Sequence, residues 1–279
     1  MAIGTQNERQ RAQADALQRA RLAIQNDRPV DAERLAADVL KANSGHLEAT
    51  KLLGYALLMQ GRADEAIDPL EKAARSSRDP EAETQLAIAL RQAGDSDRAL
   101  TWLRRAVKRA PPFPAAFHEL GFVLHSLGRS AEAIDVLRQG IAVAPMMTDL
   151  AIQLGFVCYA INDRANAGAA FAHALGINPI HPDAIQGLGN VMMDAGDYRQ
   201  AADLFRRALA ANADDTPARI ALGNCLLELG DMDGGLACLR AASARGPEFY
   251  GRVFRALLQS GHSRFWLRPS DAAKFLKGA

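Results

Sequence analysis

The 279-residue chain is poor in the residues that mark several common protein classes. It has three cysteines, Cys158, Cys225 and Cys238, and no two of them form a CxxC pair. This pattern argues against a disulfide framework and a structural zinc site, and it favours the reduced thiols of a cytoplasmic protein. Aromatic residues make up only 6% of the chain, which argues against a large β-sandwich or barrel.

An excess of one charge and long apolar runs are also lacking. The 33 basic and 32 acidic residues nearly cancel, so the chain has no overall basic footprint for nucleic acid, and we expect no nucleic-acid partner. No segment approaches the roughly 18 apolar residues of a membrane span. The N-terminal stretch up to Gln25 lacks the apolar core of a secretory signal. We therefore expect a soluble, cytoplasmic protein.

What the chain does have is abundant alanine, its commonest residue, and a repeat with a period of 33 or 34. A small turn residue recurs at that spacing, with Gly or Ala seven places before it and again five places after it. The turn residues are Asp27, Gly61, Gly94, Gly128, Asn162, Gly196 and Gly230.

Each repeat has the pattern of two amphipathic helices joined by a tight turn. The small residues let the two helix axes approach closely, and the turn residue is expected to take the left-handed conformation that ends the first helix. The sequence therefore predicts an all-α fold, a right-handed α-solenoid (superhelix) of helix-turn-helix repeats with a C-terminal capping helix.

The pattern resembles the tetratricopeptide repeat, whose 34-residue unit has small residues at positions 8, 20 and 27 and a large apolar residue at position 24. The position-24 residues here are Leu70, Leu103, Leu137, Phe171, Phe205 and Leu239. We predict seven repeats, at 13–46, 47–79, 80–113, 114–147, 148–181, 182–215 and 216–249. They cover all of the chain except its two ends. Residues 1–12 are expected to form a polar, disordered N-terminal tail.

The resemblance implies that the first helix of each repeat lines a concave groove, and that positions 2, 5, 9, 12 and 13 face a bound partner. The candidate groove residues are Lys51, Tyr55, Ile88, Arg91, His118, Phe122, His125, Ile152, Phe156, Tyr159, Asn190, Met193 and Asn224. Their aromatic rings suggest an exposed apolar binding patch. The alternative is that the rings only fill gaps between adjacent helices.

Charge is unevenly distributed along the predicted groove. Arg21, Lys51 and Arg91 lie in its N-terminal half, with Glu48 and Glu81 among them. The acidic residues of the C-terminal half are Asp149, Asp183, Asp194 and Glu228. Such a gradient could orient an extended peptide. Equally, it could be a solvated surface with no electrostatic role.

The sequence offers no pattern of catalytic or metal-binding residues. His118 and His125 are seven residues apart, about 10.5 Å along a helix, whereas two ligands of one metal would be three or four apart. We find no P-loop, GxSxG motif or dinucleotide fingerprint. We therefore predict a non-enzyme without metal or cofactor.

The C-terminal segment, residues 250–279, departs from the repeat. It carries six basic residues, one acidic residue and five of the sixteen aromatics. We expect a capping helix that covers the end of the solenoid, followed by a basic aromatic tail. Arg264, Trp266 and Arg268 are weaker candidates for docking to an acidic partner or an anionic membrane surface.

Together these features predict a protein-interaction scaffold or adaptor that binds a peptide or a partner helix. The resemblance leaves two alternatives: a scaffold that self-assembles through its groove and tail, or an accessory subunit of a transferase-type enzyme. The Ala- and Arg-rich composition suggests a bacterial source.

Overall fold

The computed structural model describes residues 2–259, and the side chains of residues 10–258. The chain divides into two compact units, residues 1–145 and 146–279. Throughout the described residues the regular structure is helical.

Unit one contains eight α-helices: α1 (Ala2–Gln25), α2 (Pro29–Ala42), α3 (Leu47–Met59), α4 (Ala63–Ser77), α5 (Pro80–Gln92), α6 (Ser96–Ala106), α7 (Pro114–Ser126) and α8 (Ser130–Val143). The described part of unit two contains α9 (Thr148–Ala160), α10 (Arg164–Ile177), α11 (Pro182–Asp194), α12 (Tyr198–Ala211), α13 (Thr216–Glu228), α14 (Met232–Ser243) and α15 (Tyr250–Gln259). A 3₁₀ turn, Pro247–Phe249, precedes α15.

The helices form successive antiparallel pairs, each made of an odd-numbered helix A and an even-numbered helix B. Six of the A helices begin at 47, 80, 114, 148, 182 and 216, the residues where the sequence pattern places the start of a repeat. Three of these six starts have a side-chain N-cap, as at Asp79, where the carboxylate accepts a hydrogen bond from the Glu81 amide.

The prediction of left-handed turn residues is confirmed. All seven small turn residues have φ between 54° and 89°, and they include the non-glycine residues Asp27 and Asn162. Asp and Asn tolerate this conformation better than most side chains, which explains why they can stand where the other repeats have Gly.

The predicted close approach of the paired helices is also confirmed. The position-24 side chains are fully buried. They pack against the small residue on helix A of the same pair. A Cβ atom added at Gly54 would come within 2.5 Å of Leu70, and one added at Gly121 within 2.7 Å of Leu137. In these two pairs the leucine leaves no room for a Cβ atom at the facing glycine.

The structure places residues 2–12 in α1, which begins at Ala2, where the sequence led us to expect a disordered tail. The segment is polar, but it consists largely of Ala, Gln, Arg and Glu, which all have high helix propensity. It therefore continues the helix whose buried residues Leu17 and Ala20 pack against α2 and α3.

At the other end of the described chain, α15 packs against α13 and α14. It buries Val253, Ala256 and Leu257 in a cluster with residues of those two helices, and leaves Phe254 and Leu258 exposed. The candidate tail residues Arg264, Trp266 and Arg268 lie outside the described residues.

Within residues 2–259, none of the helices combines the length and the apolar character that crossing a bilayer requires.

Candidate functional site

Within each unit, the A helices of neighbouring pairs contact one another. Examples are the contacts of α1 with α3, α5 with α7, and α9 with α11. In each unit, we call the surface made by the odd-numbered helices the A-helix face. All thirteen candidate groove residues lie on odd-numbered helices.

The A-helix face of unit one contains a cleft of about 300 Å³ between α1, α3 and α5. We call it the α1–α3–α5 cleft. Polar and charged side chains from three successive helix pairs converge there, together with two aliphatic residues. Its lining residues are Arg21, Ile24, Gln25, Glu48, Lys51, Leu52, Tyr55, Glu81 and Gln85.

Lys51 is the centre of the charge network in this cleft. Its ammonium nitrogen lies 3.1 Å from an oxygen of Asp79, 3.3 Å from Glu81 and 3.4 Å from Glu48. Burial alone would lower the pKa of Lys51, but the three carboxylates outweigh it and raise the pKa. Lys51 therefore stays charged, and Glu48 is also bound by the guanidinium of Arg21 at 2.9 Å.

Tyr55 lies beside this network and corrects one expectation. We expected its ring to be exposed, but the residue is only 8% exposed. The Lys51 ammonium sits 5.9 Å from the ring centroid and, with its bound carboxylates, covers the ring.

The Tyr55 hydroxyl is buried without a hydrogen-bond partner among the described residues. Burial, reinforced by the charges of Glu81, Asp79 and Glu48, raises the pKa of this phenol, so it remains neutral. An unpaired buried hydroxyl costs roughly 1–3 kcal/mol, a cost that a bound partner group would remove.

Arg91 and Phe122 form a second contact on the A-helix face of unit one. The guanidinium carbon lies 4.8 Å from the Phe122 ring centroid, and Arg91 also approaches Glu119 at 3.6 Å. Phe122 itself is 46% exposed. The Phe122 ring is therefore held by a cation and is also open to solvent.

The two histidines on α7 point to different neighbours. His118 lies 3.7 Å from Glu119, whereas the Nδ1 atom of His125 lies 3.1 Å from the Ser130 hydroxyl. In the residues for which side chains are described, no group of three or more His, Cys, Asp or Glu residues could hold a metal ion.

In unit two, we also expected Ile152 to be exposed, but it is only 6% exposed. It belongs to the helix packing rather than to an accessible surface. Phe156 is 42% exposed, but one edge of its ring contacts the buried Phe171 with the centroids 5.1 Å apart. Phe156 therefore serves both the core and the A-helix face.

Tyr159 is part of a tight cluster with Arg164 and Asp194. The guanidinium stacks 3.9 Å from the ring centroid, and the Tyr159 hydroxyl donates a 2.8 Å hydrogen bond to Asp194. Arg164 closes the cluster with a 2.8 Å ion pair to the same carboxylate. Arg164 and Asp194 also line a cleft of about 590 Å³ in unit two, beside the turn at Asn162.

The remaining candidates are half-buried. Asn190 accepts a 2.9 Å hydrogen bond from Gln186 on the same helix. Ile88, Met193 and Asn224 present part of their side chains to solvent.

The structure qualifies the predicted charge gradient. The three cations of its N-terminal half, Arg21, Lys51 and Arg91, all bind carboxylates of unit one. The local field in unit one is therefore set by these pairs rather than by a row of free cations.

Two residues that contact the candidate groove residues lie outside the A-helix positions that the sequence pattern indicates. Asp79 lies just before α5 rather than on the face of an A helix, so a rule based on A-helix positions passes over it. Arg164 lies at the start of a B helix and is missed for the same reason. The signal that could have found Asp79 is its spacing of 28 residues from Lys51, which brings the start of one A helix beside the preceding one.

Comparison with family models bears directly on this architecture. Two models described as tetratricopeptide repeat match residues 17–82 and 192–259. A third, for anaphase-promoting complex, cyclosome, subunit 3, matches residues 59–140. The chain belongs to the tetratricopeptide repeat family.

Solved structures of other tetratricopeptide repeat folds are similar. MamA from Desulfovibrio magneticus RS-1 is 26% identical with a TM-score of 0.53, over 61% of this chain and 97% of that one. PilF of Pseudomonas aeruginosa is 18% identical with a TM-score of 0.62, over 72% of this chain and 92% of that one. The Cut9–Hcn1 assembly of the APC/C is 18% identical with a TM-score of 0.62, over 85% of this chain and 48% of that one. No curated protein sequence gives a significant match.

The tetratricopeptide repeat fold agrees with the predicted all-α solenoid of helix-turn-helix repeats. Membership of this family supports a general role as a protein-interaction scaffold, and members of the family are typically non-enzymatic.

Proposed function

We propose that this tetratricopeptide repeat protein is a non-enzymatic adaptor that binds a segment of a partner protein on its A-helix face. The observation that carries the proposal is the α1–α3–α5 cleft, where charged side chains of three successive helix pairs converge around Lys51. Convergent polar groups on a rigid helical frame are the usual form of a specific recognition site.

The surroundings of the cleft support the same function. Phe122, further along the A-helix face of unit one, offers an exposed ring that is already held in place by Arg91. A ring that is fixed before binding loses little conformational entropy when a partner covers it. The charged cleft would supply specificity and the ring would supply apolar contact area.

The proposal can be tested by selecting ligands from a library of random 15-residue peptides displayed on phage, with the full chain as bait. Affinities of the recovered peptides are then measured by fluorescence anisotropy. We expect Phe122→Ser to weaken binding at least tenfold, because it removes the exposed ring and leaves the buried residues in place.

Val30→Ser is the matched control, since Val30 is 66% exposed and lies on α2, away from the A-helix face. It should change affinity less than twofold. Recovery of no specific peptide would refute binding on the A-helix face, and equal effects of the two substitutions in folded protein would refute the proposed contact at Phe122.

A further inference from the structure

The α1–α3–α5 cleft has more negative than positive charge. Its lining and the residue bound to Lys51 supply three carboxylates, Glu48, Asp79 and Glu81, against the two cations Arg21 and Lys51. Lys51 shares one ammonium group among all three acids, and Arg21 binds only Glu48. One negative charge therefore remains uncompensated beside Asp79 and Glu81.

Glu81 is the most accessible of the three acids. Its side chain is 42% exposed, compared with 27% for Asp79 and 26% for Glu48. Its contact with Lys51 is also longer than that of Asp79, at 3.3 Å against 3.1 Å. A ligand that enters the cleft would meet the Glu81 carboxylate with part of its surface still free.

The Tyr55 hydroxyl is a second indication of a ligand. Tyr55 lines the cleft, it is more than nine-tenths buried, and its hydroxyl makes no hydrogen bond of normal geometry to a described residue, although the Glu81 carboxylate lies close enough to influence it. Burial, together with the neighbouring carboxylates, raises the pKa of this phenol and keeps it protonated, so its oxygen can accept a hydrogen bond from a donor placed between it and Glu81.

We propose that the α1–α3–α5 cleft accepts a lysine or arginine side chain of the bound segment, so that the partner is a basic stretch of protein. The ligand's cationic head would pair with the Glu81 carboxylate and donate to the Tyr55 hydroxyl. Ile24 and Leu52, the aliphatic residues of the lining, would contact its methylene stem.

The same charges disfavour an acidic ligand. A carboxylate that approached Lys51 would meet three acids already bound to that ammonium group, and like-charge contacts weaken association. A lysine at this place in the repeat is therefore not available to hold an anion. This inference rests on the proposed function, because it names the chemistry of the segment that the A-helix face would bind.

The peptides recovered in the selection described above test the proposal. We expect a lysine or arginine to recur at one fixed position. In a peptide with arginine there, replacement by citrulline removes the charge and keeps the shape. This replacement should weaken binding to the wild-type protein at least tenfold.

Two protein variants locate the effect. With Glu81→Gln the difference between the arginine and citrulline peptides should fall below threefold. With Glu65→Gln, the same chemical change on the outer helix α4, the difference should persist. Tyr55→Phe removes only a hydroxyl without a partner, so the variant should fold normally and bind the arginine peptide three- to tenfold more weakly.

The outcomes separate the two proposals. Peptides that depend on Phe122 but carry acidic residues, or that ignore Glu81→Gln, would overturn the basic-segment proposal and leave binding on the A-helix face intact. If no peptide is recovered, both proposals fail.

Discussion

At the scale of single residues, the most unusual group outside the cleft is the Glu83 carboxylate. The side chain on α5 has no solvent exposure, yet it carries a charge in the middle of a helix pair. Arg105 binds it at 2.8 Å and Arg109 at 2.7 Å. Both arginines belong to the segment that follows α5, so this ion triad ties α6 and the residues after it to α5.

Removing the charge of Glu83 should destabilise the protein. Glu83→Gln leaves two arginines facing a neutral amide, and breaking a buried pair by removing one partner costs about 3 kcal/mol. The free energy of unfolding in urea measures the loss. Glu132→Gln is the control, because Glu132 is 50% exposed and solvent screens its pairs with Arg104 and Arg129, so this variant should lose much less stability. Equal losses in the two variants would mean that the triad adds nothing.

The cysteine thiols should differ in reactivity because they differ in burial. Burial raises the pKa of Cys225 to about 12, so its thiolate is scarce at pH 8. Cys238 is only half-buried and should react first with iodoacetamide, as followed by mass spectrometry. The linked stability contribution of Cys225 is complete below pH 9 and is lost as the pH rises toward 12, because the folded state holds its proton more tightly. Faster labelling of Cys225 than of Cys238 would contradict the described burial.

At the scale of helix pairs, packing depends on a glycine in helix A and a large side chain in helix B. Gly189 on α11 faces the fully buried ring of Phe205 on α12, and an added Cβ would lie 2.4 Å from the ring. The pair built from α5 and α6 solves the same problem with Ala87 and the smaller Leu103. Glycine with phenylalanine and alanine with leucine fill similar volumes. Exchanging only one residue of a pair would overfill or underfill the space between the helices.

Gly189→Ala should therefore lower the urea midpoint. Overpacking costs about 1–3 kcal/mol, and the gain of about 1 kcal/mol in helix propensity offsets only part of it. Adding Phe205→Leu should restore most of the midpoint, since the double variant copies the Ala87–Leu103 combination.

Gly176→Ala serves as the control for this pair. Gly176 is helical and has no atom within 4 Å of its added Cβ, so the substitution should be neutral or stabilising. A midpoint that rises equally in Gly189→Ala and Gly176→Ala would show that the ring yields freely.

The helix pairs could be predicted from the sequence because their determinants are local. A turn residue, two small residues and one large residue recur in each repeat, and each contacts its own pair or the next. Exposure of the A-helix face could not be predicted in the same way. Tyr55, Phe122 and Phe156 share the ninth position of their repeats, yet Tyr55 is 8% exposed whereas Phe122 is 46% and Phe156 42% exposed. Which ring is covered depends on side chains that differ from one repeat to the next, such as Lys51 and the acids that it binds.

At the scale of the molecule, each described helix packs mainly against helices close to it in the chain. For example, α11 and α12 contact α9, α10, α13 and each other. Stability in such an array is close to a sum of local terms. Among the described helices, a local weakness therefore has no single shared core through which to reach the whole chain.

Hydrogen exchange should reveal this locality. In Gly189→Ala, amide protection should fall most in α11 and α12 and less in α10 and α13, because only these helices share the strained joint. Protection of α1–α4 should equal that of the wild-type protein. A uniform loss along the described chain would instead indicate one cooperative unit.

The packing of Phe171 limits which substitutions can accumulate during evolution. Its ring would lie 2.6 Å from a Cβ at Gly155 on α9 and 2.4 Å from one at Gly187 on α11. Three residues on three helices therefore form one unit of variation, since neither glycine can enlarge while the ring remains. Relatives of this chain should carry either the ring with both glycines or a smaller residue at the position of Phe171. In the second group, the other two positions would be free to change.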